Sequence, residues 1–299
     1  MKKLQWYRKS ASGECDVFSQ IYIPENPKAI IQIAHGMTEH SGRYKEFMAF
    51  LAENGYIVCA NDHLGHGKTA NGEFGVFAKK DGGFDFVIKD MHNLFVQVKA
   101  DYPQLPVILF GHSMGSILSA LFADKYDYLS KLILMGTPNY IKAIDFFVYK
   151  LEKSVRKNGY THTSKIYNRL INGKMSTDYD EKVKLYAWLT SNEKIVREFV
   201  DDELCGNPFA DSANLEMLAG LKKWGSANWG ENIPDIPVLF IAGTKDKVAG
   251  YGKGAKKHYK KLAKSHSKLT LKLNKGERHE LLNEMNKTET YRYILNWLT

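Results

Sequence analysis

Short apolar runs of strand length punctuate the chain at 29–34, 56–60, 107–110, 131–135 and 237–242. A continuous run of this length, without alternation, is the pattern of a strand covered on both faces. Residues 16–23 alternate instead and stop at Pro24, which predicts a half-exposed strand near a sheet edge. A last strand is expected at 269–273. Between these runs lie stretches of helical period. Phe47, Met48, Phe50 and Leu51 form one stripe, halted at Asn54-Gly55. Phe84, Val87, Met91, Leu94, Phe95 and Val98 form a second, ended by Pro103 and Pro106. Further helices are expected from 114 to about 125, from about 251 to 266, and over 281–298. Strands alternating with helices predict an α/β protein with a mostly parallel sheet covered on both faces.

The alternation breaks after 135. About a hundred residues, 137–236, separate two strand runs, where connections in such folds take about 2–6 residues. The segment is therefore read as an insertion with its own structure, helix-like and rich in aromatic residues. The domain reading is a core made of 1–136 and 237–299, with a helical insertion over 137–236. Within it, Ile144, Phe147, Val148 and Leu151 fit the spacing of one helix face. That face either packs against the core or lies in a lipid interface.

Composition changes this picture little. Among 299 residues, 44% are hydrophobic and 25% charged, which is ordinary for a globular chain. Lys and Arg outnumber Asp and Glu by 42 to 33, a net charge of +9 that permits attraction to anionic surfaces without requiring it. The lysine stripe over 253–264 reads as a solvated helix face, and no nucleic-acid module accompanies it, so no nucleic-acid partner is expected. Three separated cysteines, Cys15, Cys59 and Cys205, form neither a disulfide framework nor a zinc ribbon. The charged start at Met1-Lys2-Lys3 is not followed by an apolar h-region. No apolar stretch reaches membrane-spanning length. A cytoplasmic, reducing location is expected.

The chemistry centres on Gly111-His112-Ser113-Met114-Gly115, which follows one apolar run and opens a helix. In that setting a G-x-S-x-G sequence forms a sharp strand-to-helix turn that presents the serine over the sheet end. Gly111 and Gly115 support the turn because a Cβ there would crowd strand or helix. A serine nucleophile needs a base, and the base needs a group that fixes its tautomer. Two later strand runs end near Asp246 and His279, in the order serine, acid, base. Glu277 is a substitute acid by type, but it lies too near His279 to come from a separate strand end. His112, adjacent to the serine, should point away from it. The tetrahedral intermediate requires two N–H donors. Met114, next after the serine, should supply one, and Met37 the other, with Gly36 leaving the backbone open. Asp62, His63 and His66 have metal-ligand types but no matching second cluster, and a structural turn is the better reading. Gly65-His66-Gly67-Lys68-Thr69 and Gly250-Tyr251-Gly252-Lys253-Gly254-Ala255 fail the phosphate-loop and dinucleotide patterns by one misplaced residue and by distance from a strand.

Four blocks carry a resemblance: His35-Gly36-Met37-Thr38-Glu39-His40-Ser41-Gly42-Arg43-Tyr44, Asp62-His63-Leu64-Gly65-His66-Gly67, Gly111 to Gly115, and His279-Glu280-Leu281-Leu282-Asn283-Glu284. Together the chain resembles the monoacylglycerol lipase and lysophospholipase branch of the α/β-hydrolase superfamily, of S33 serine-aminopeptidase-like type. The resemblance implies an eight-stranded sheet and an insertion that caps the site after the sixth strand. It implies Ser113, Asp246 and His279 as triad, Met37 and Met114 as oxyanion donors, and no cofactor or metal. The expected activity is hydrolysis of an acyl ester, a monoacylglycerol or lysophospholipid, with transient contact to a micelle or membrane. A general carboxylesterase, an aminopeptidase-like hydrolase and a non-catalytic binding protein are the competing readings.

Overall fold

A computed structural model describes residues 1–172, 179–226 and 228–299. The first half runs β1 (Lys2–Lys9), β2 (Asp16–Ile23), β3 (Ala29–Ala34), α1 (Lys45–Glu53), β4 (Tyr56–Asn61), α2 (Gly83–Asp101), β5 (Val107–His112), α3 (Met114–Lys125) and β6 (Leu129–Met135). Among the described residues five helices follow: α4 (Ala143–Asn158), α5 (Lys165–Asn172), α6 (Tyr179–Tyr186), α7 (Glu193–Asp201) and α8 (Asp211–Gly225). The chain ends with β7 (Val238–Gly243), α9 (Lys253–Leu262), β8 (Leu269–Asn274) and α10 (Lys287–Leu298).

One sheet of eight strands has the order β1-β2-β4-β3-β5-β6-β7-β8. The β1–β2 and β2–β4 pairs are antiparallel; every other pair is parallel. The alternation of side chains along a strand explains the unbroken apolar runs. Ile30 and Leu109 enter one core with Leu118, Phe122 and Trp224, whereas Ile31 and Phe110 enter the opposite core with Phe47, Tyr291 and Ile294. The register sets Ala34 beside Gly111 and Gly243 beside Asn274, so the carboxyl ends of β3, β5, β7 and β8 share one sheet edge. A crevice at that edge is the ordinary ligand position in parallel sheets.

The hydrophobic pattern does not mark β1. Its Leu4 and Tyr7 are 40% and 56% exposed, and it is held by pairing with β2 rather than by burial. The closing helix starts at Lys287, not 281: residues 281–283 form a 3-10 turn instead. Glu284 explains the shift, because its carboxylate accepts from the Arg278 and Ser191 N–H groups and holds the turn away from helical geometry. The helix expected over 251–266 contracts to α9, whose Lys256, Lys257 and Lys260 are exposed as a solvated face.

Between β6 and β7 the regular elements among the described residues are all helices, joined by loops. The stripe on α4 does not lie free for a lipid interface. Val148 and Leu151 are buried against Leu218 of α8, with Ile144 and Phe147 packed alongside. Burying those apolar faces against each other outweighs exposing them. α8 in turn packs on α2 and α3. Among the described residues no helix is long and apolar enough to cross a membrane.

Candidate active site

Ser113 sits between β5 and α3 with φ 53° and ψ −119°. Such a backbone costs a non-glycine residue about 1–3 kcal/mol and needs surroundings that enforce it. The Ser113 N–H donates to the Met135 carbonyl at 2.9 Å, and its own carbonyl accepts from the Ser116 N–H at 2.9 Å and hydroxyl at 2.6 Å. The flanking glycines are required by proximity. A Cβ on Gly111 would stand 2.3 Å from the Gly115 carbonyl oxygen, and one on Gly115 would stand 2.1 Å from that of Ala34. At Gly36 a Cβ would meet Glu39 Oε1 at 2.6 Å and the Ser113 Cβ at 3.2 Å. The loop after β3 therefore lies directly against the serine.

Asp246 and His279 follow β7 and β8 and are both buried. Asp246 Oδ1 accepts from the Ala249 N–H at 3.0 Å, and Oδ2 accepts from His279 Nδ1–H at 2.8 Å. A proton on Nδ1 leaves Nε2 as a lone-pair acceptor. That Nε2 is buried with no partner among the described residues. Burial works against a charge on His279, but Asp246, with smaller contributions from Glu280 and Glu39, outweighs it and raises the pKa above the ordinary histidine value. Trp188 packs on the ring at 5.2 Å and His112 at 4.9 Å between centroids.

Ser113, His279, Met37 and Met114 line one cavity of about 790 Å³. Its wall is mostly apolar, with Ile117, Leu185, Phe199, Met217 and Leu221 drawn from α3 and from the segment between β6 and β7. Every expected site residue thus comes to one place, with Gly36 lining the cavity and Gly111 and Gly115 packed beneath it.

Sequence reasoning assigned no role to Glu39, Arg43 and Glu280, although all three lie in the quoted blocks. Arg43 donates to Glu39 Oε2 at 2.7 Å and to both oxygens of Glu280 at 2.6 and 2.8 Å. Glu39 Oε1 also accepts from the Gly36 N–H at 2.6 Å and the Tyr44 hydroxyl at 2.7 Å, and His112 Nδ1 lies 3.1 Å away. Burial would raise the Glu39 pKa, but His112 and Arg43 outweigh it and hold it well below the ordinary value. Neither partner of Arg43 was legible in the sequence: the i,i+4 rule holds on a helix, which Glu39 is not part of, and Glu280 lies far along the chain.

Asp62, His63 and His66 turn to different partners. Asp62 accepts from the Ser41 N–H and hydroxyl at 2.9 and 2.6 Å and from the Lys68 N–H at 2.8 Å. His63 and His66 pack around His35, at 4.1 and 5.1 Å between centroids. The helical segment is tied to the sheet edge by polar contacts. His40 meets Asp202 at 2.9 Å, the Gly206 N–H donates to the Thr38 carbonyl at 2.8 Å, and Arg278 donates to the carbonyls of Thr190, at 3.1 Å, and Ala187.

The chain as a whole is similar to known lipases and esterases. A monoglyceride lipase homolog of monkeypox virus is 28% identical over 281 residues, covering 91% of this chain and 90% of that protein. Human monoglyceride lipase is 28% identical over 263 residues, 87% of this chain and 78% of that one. The crystal structure of a thermostable carboxyl esterase from Bacillus coagulans, in complex with glycerol, superimposes with a TM-score of 0.91 at 28% identity. It covers 100% of this chain and 98% of its own. The family model for serine aminopeptidase, S33, matches residues 25–286. With nearly its whole length matched by that model and its eight-stranded, mostly parallel sheet in place, the chain belongs to the S33 serine aminopeptidase (Hydrolase_4) family of α/β-hydrolases.

Proposed function

We propose that the protein hydrolyses carboxylic esters of acyl lipids bearing one chain, through an acyl-enzyme on Ser113. The observation that carries this reading is the mostly apolar cavity of about 790 Å³ that has Ser113 and His279 in its wall. A pocket of that size and character suits an acyl chain. In the proposed cycle, His279 Nε2 takes the Ser113 hydroxyl proton as Oγ attacks the ester carbonyl. Asp246 holds the ring in the tautomer that makes this feasible. The N–H groups of Met37 and Met114 receive the oxyanion. His279 then gives its proton to the leaving alcohol, and water, deprotonated by the same nitrogen, cleaves the acyl-enzyme. Residues 137–236 serve as the cap that walls the cavity. Phe146 and Tyr149, 59% and 49% exposed on α4 beside Lys150 and Lys153, support transient contact with a lipid surface.

Peptide hydrolysis from a free amino terminus is disfavoured by charge. An ammonium substrate needs a free carboxylate, and the cavity's Glu39 and Glu280 are both occupied by Arg43. The test is hydrolysis of p-nitrophenyl esters from acetate to palmitate, with Ser113→Ala as control and fluorophosphonate labelling of the folded protein. The expected result is label on Ser113 and a rise in kcat/KM with chain length. A steep preference for acetate would exclude the lipid reading. Absence of label would exclude the nucleophile.

A further inference from the structure

The charges that face the cavity are unevenly balanced. Its carboxylates, Glu39 and Glu280, are buried and share the one guanidinium of Arg43, and the neighbouring Asp246 is bonded to His279. Its cations are not compensated in this way. Lys184, on α6, and Lys245 and Lys247, either side of Asp246, are exposed at the rim, and among the described residues no carboxylate pairs with any of them. Arg278 spends donors on the carbonyls of Ala187 and Thr190, which orients the guanidinium but leaves its charge whole. Four positive groups thus surround an apolar interior, contributed by the strand ends on one side and by the helical segment on the other.

We infer that this rim is a head-group subsite for a phosphate-bearing alcohol, so that the preferred substrate is a lysolipid with an anionic phosphate head rather than a neutral monoacylglycerol. The inference rests on the acyl-lipid reading above and narrows it. With the acyl chain in the apolar interior and the carbonyl at Ser113, the alcohol half of the ester is the part directed to the rim. A phosphate monoester carries close to two negative charges at neutral pH and several acceptor oxygens. Lysine serves such a group as a mobile point charge, which needs no fixed fork geometry. Low-dielectric walls around the rim strengthen the attraction compared with an open surface. A glycerol head would leave the four cations without a counter-charge, whereas a phosphate provides one.

The experiment compares kcat/KM for lauroyl lysophosphatidate, monolauroylglycerol and lauroyl lysophosphatidylcholine below their micelle thresholds, so that no lipid surface contributes. Lysophosphatidate is expected to be preferred over monolauroylglycerol by about tenfold or more. That ratio should fall toward unity between about 0.02 M and about 0.5 M salt, because the rim is solvent-exposed. It should also collapse in Lys184→Gln and in the double variant Lys245→Gln with Lys247→Gln. Preference for monolauroylglycerol, or a ratio unmoved by salt and by both variants, would overturn the head-group subsite while leaving the acyl-lipid reading intact. Equal preference for the zwitterionic phosphatidylcholine analogue would also overturn it, since net negative charge would then be irrelevant. Cleavage of p-nitrophenyl acetate with none of the three lipids cleaved would remove the acyl-lipid reading and this one together.

Discussion

Ser113 and its neighbours show how much of a site's geometry is fixed by what is missing from a side chain. Gly115 has no room for a Cβ because the carbonyls of Ala34 and His35 occupy the place where one would go. Both are backbone atoms of the central strand and its loop and cannot step aside. Gly115→Ala should therefore lower stability by about 3 kcal/mol or more, read as a fall in Tm, and displace the proposed nucleophile even in molecules that fold. The other residue-scale prediction concerns proton transfer. The proposed base must be neutral to accept a proton, so kcat/KM should rise with pH through the pKa of His279, above the ordinary value of about 6.5. The charges facing that ring are Asp246, Glu280 and Glu39, all of which favour its protonated form. Glu280→Gln removes one of them, and the acid limb of the pH profile should move to lower pH. An unmoved limb would mean that Glu280 does not influence the base.

The loop after β3 and the loop after β8 come from distant parts of the chain and are joined by one guanidinium. Arg43 stands between Glu39, which fixes the Gly36 N–H, and Glu280, which follows His279. Removing one partner of such a buried ionic group leaves an uncompensated charge and costs about 3–5 kcal/mol. Arg43→Leu should accordingly lose stability on that scale in denaturant unfolding. The elements also show where a sequence is legible. The runs at 29–34 and 107–110 announce β3 and β5 because both faces are buried, and the serine–acid–base order announces which strand ends meet. β1 was silent because pairing, not burial, holds it. The turn at 281–283 read as helix because its apolar residues keep helical spacing, while the polar contacts of Glu284 that unwind it involve Ser191, far away in sequence. The Glu280 partner of Arg43 was illegible for the same reason: periodicity reports which face is buried, not which charge waits there.

At the scale of the whole molecule, four buried histidines give the fold a pH limit. Burial pushes His35 down to about 4 and His66 and His258 down to about 3, and His63 is lowered well below the ordinary value. The native state keeps these rings neutral below pH 6.5, where the unfolded chain protonates them. Their contribution to stability is therefore present above about pH 6.5 and is lost as pH falls from there toward 3. By pH 5 the loss is about 2 kcal/mol for each of His35, His66 and His258. Tm measured from pH 7 to pH 5 should fall steeply, and His258→Phe should flatten the slope. A Tm independent of pH across that window would contradict this account.

The insertion between β6 and β7 has a consequence for how the protein folds. Leu132 pairs with Val238 and Ile133 with Leu239, neighbours in space across about a hundred residues of chain. Closing so long a loop adds little to the thermodynamic cost, since each doubling of length adds only about 0.6 kcal/mol. Its kinetic cost is larger, because a non-local parallel pair forms late. The strands from β2 to β6 can assemble first from nearer contacts. β7 and β8, which lead into Asp246 and His279, are then expected to dock last, so the proposed catalytic constellation would be completed only at the final step of folding.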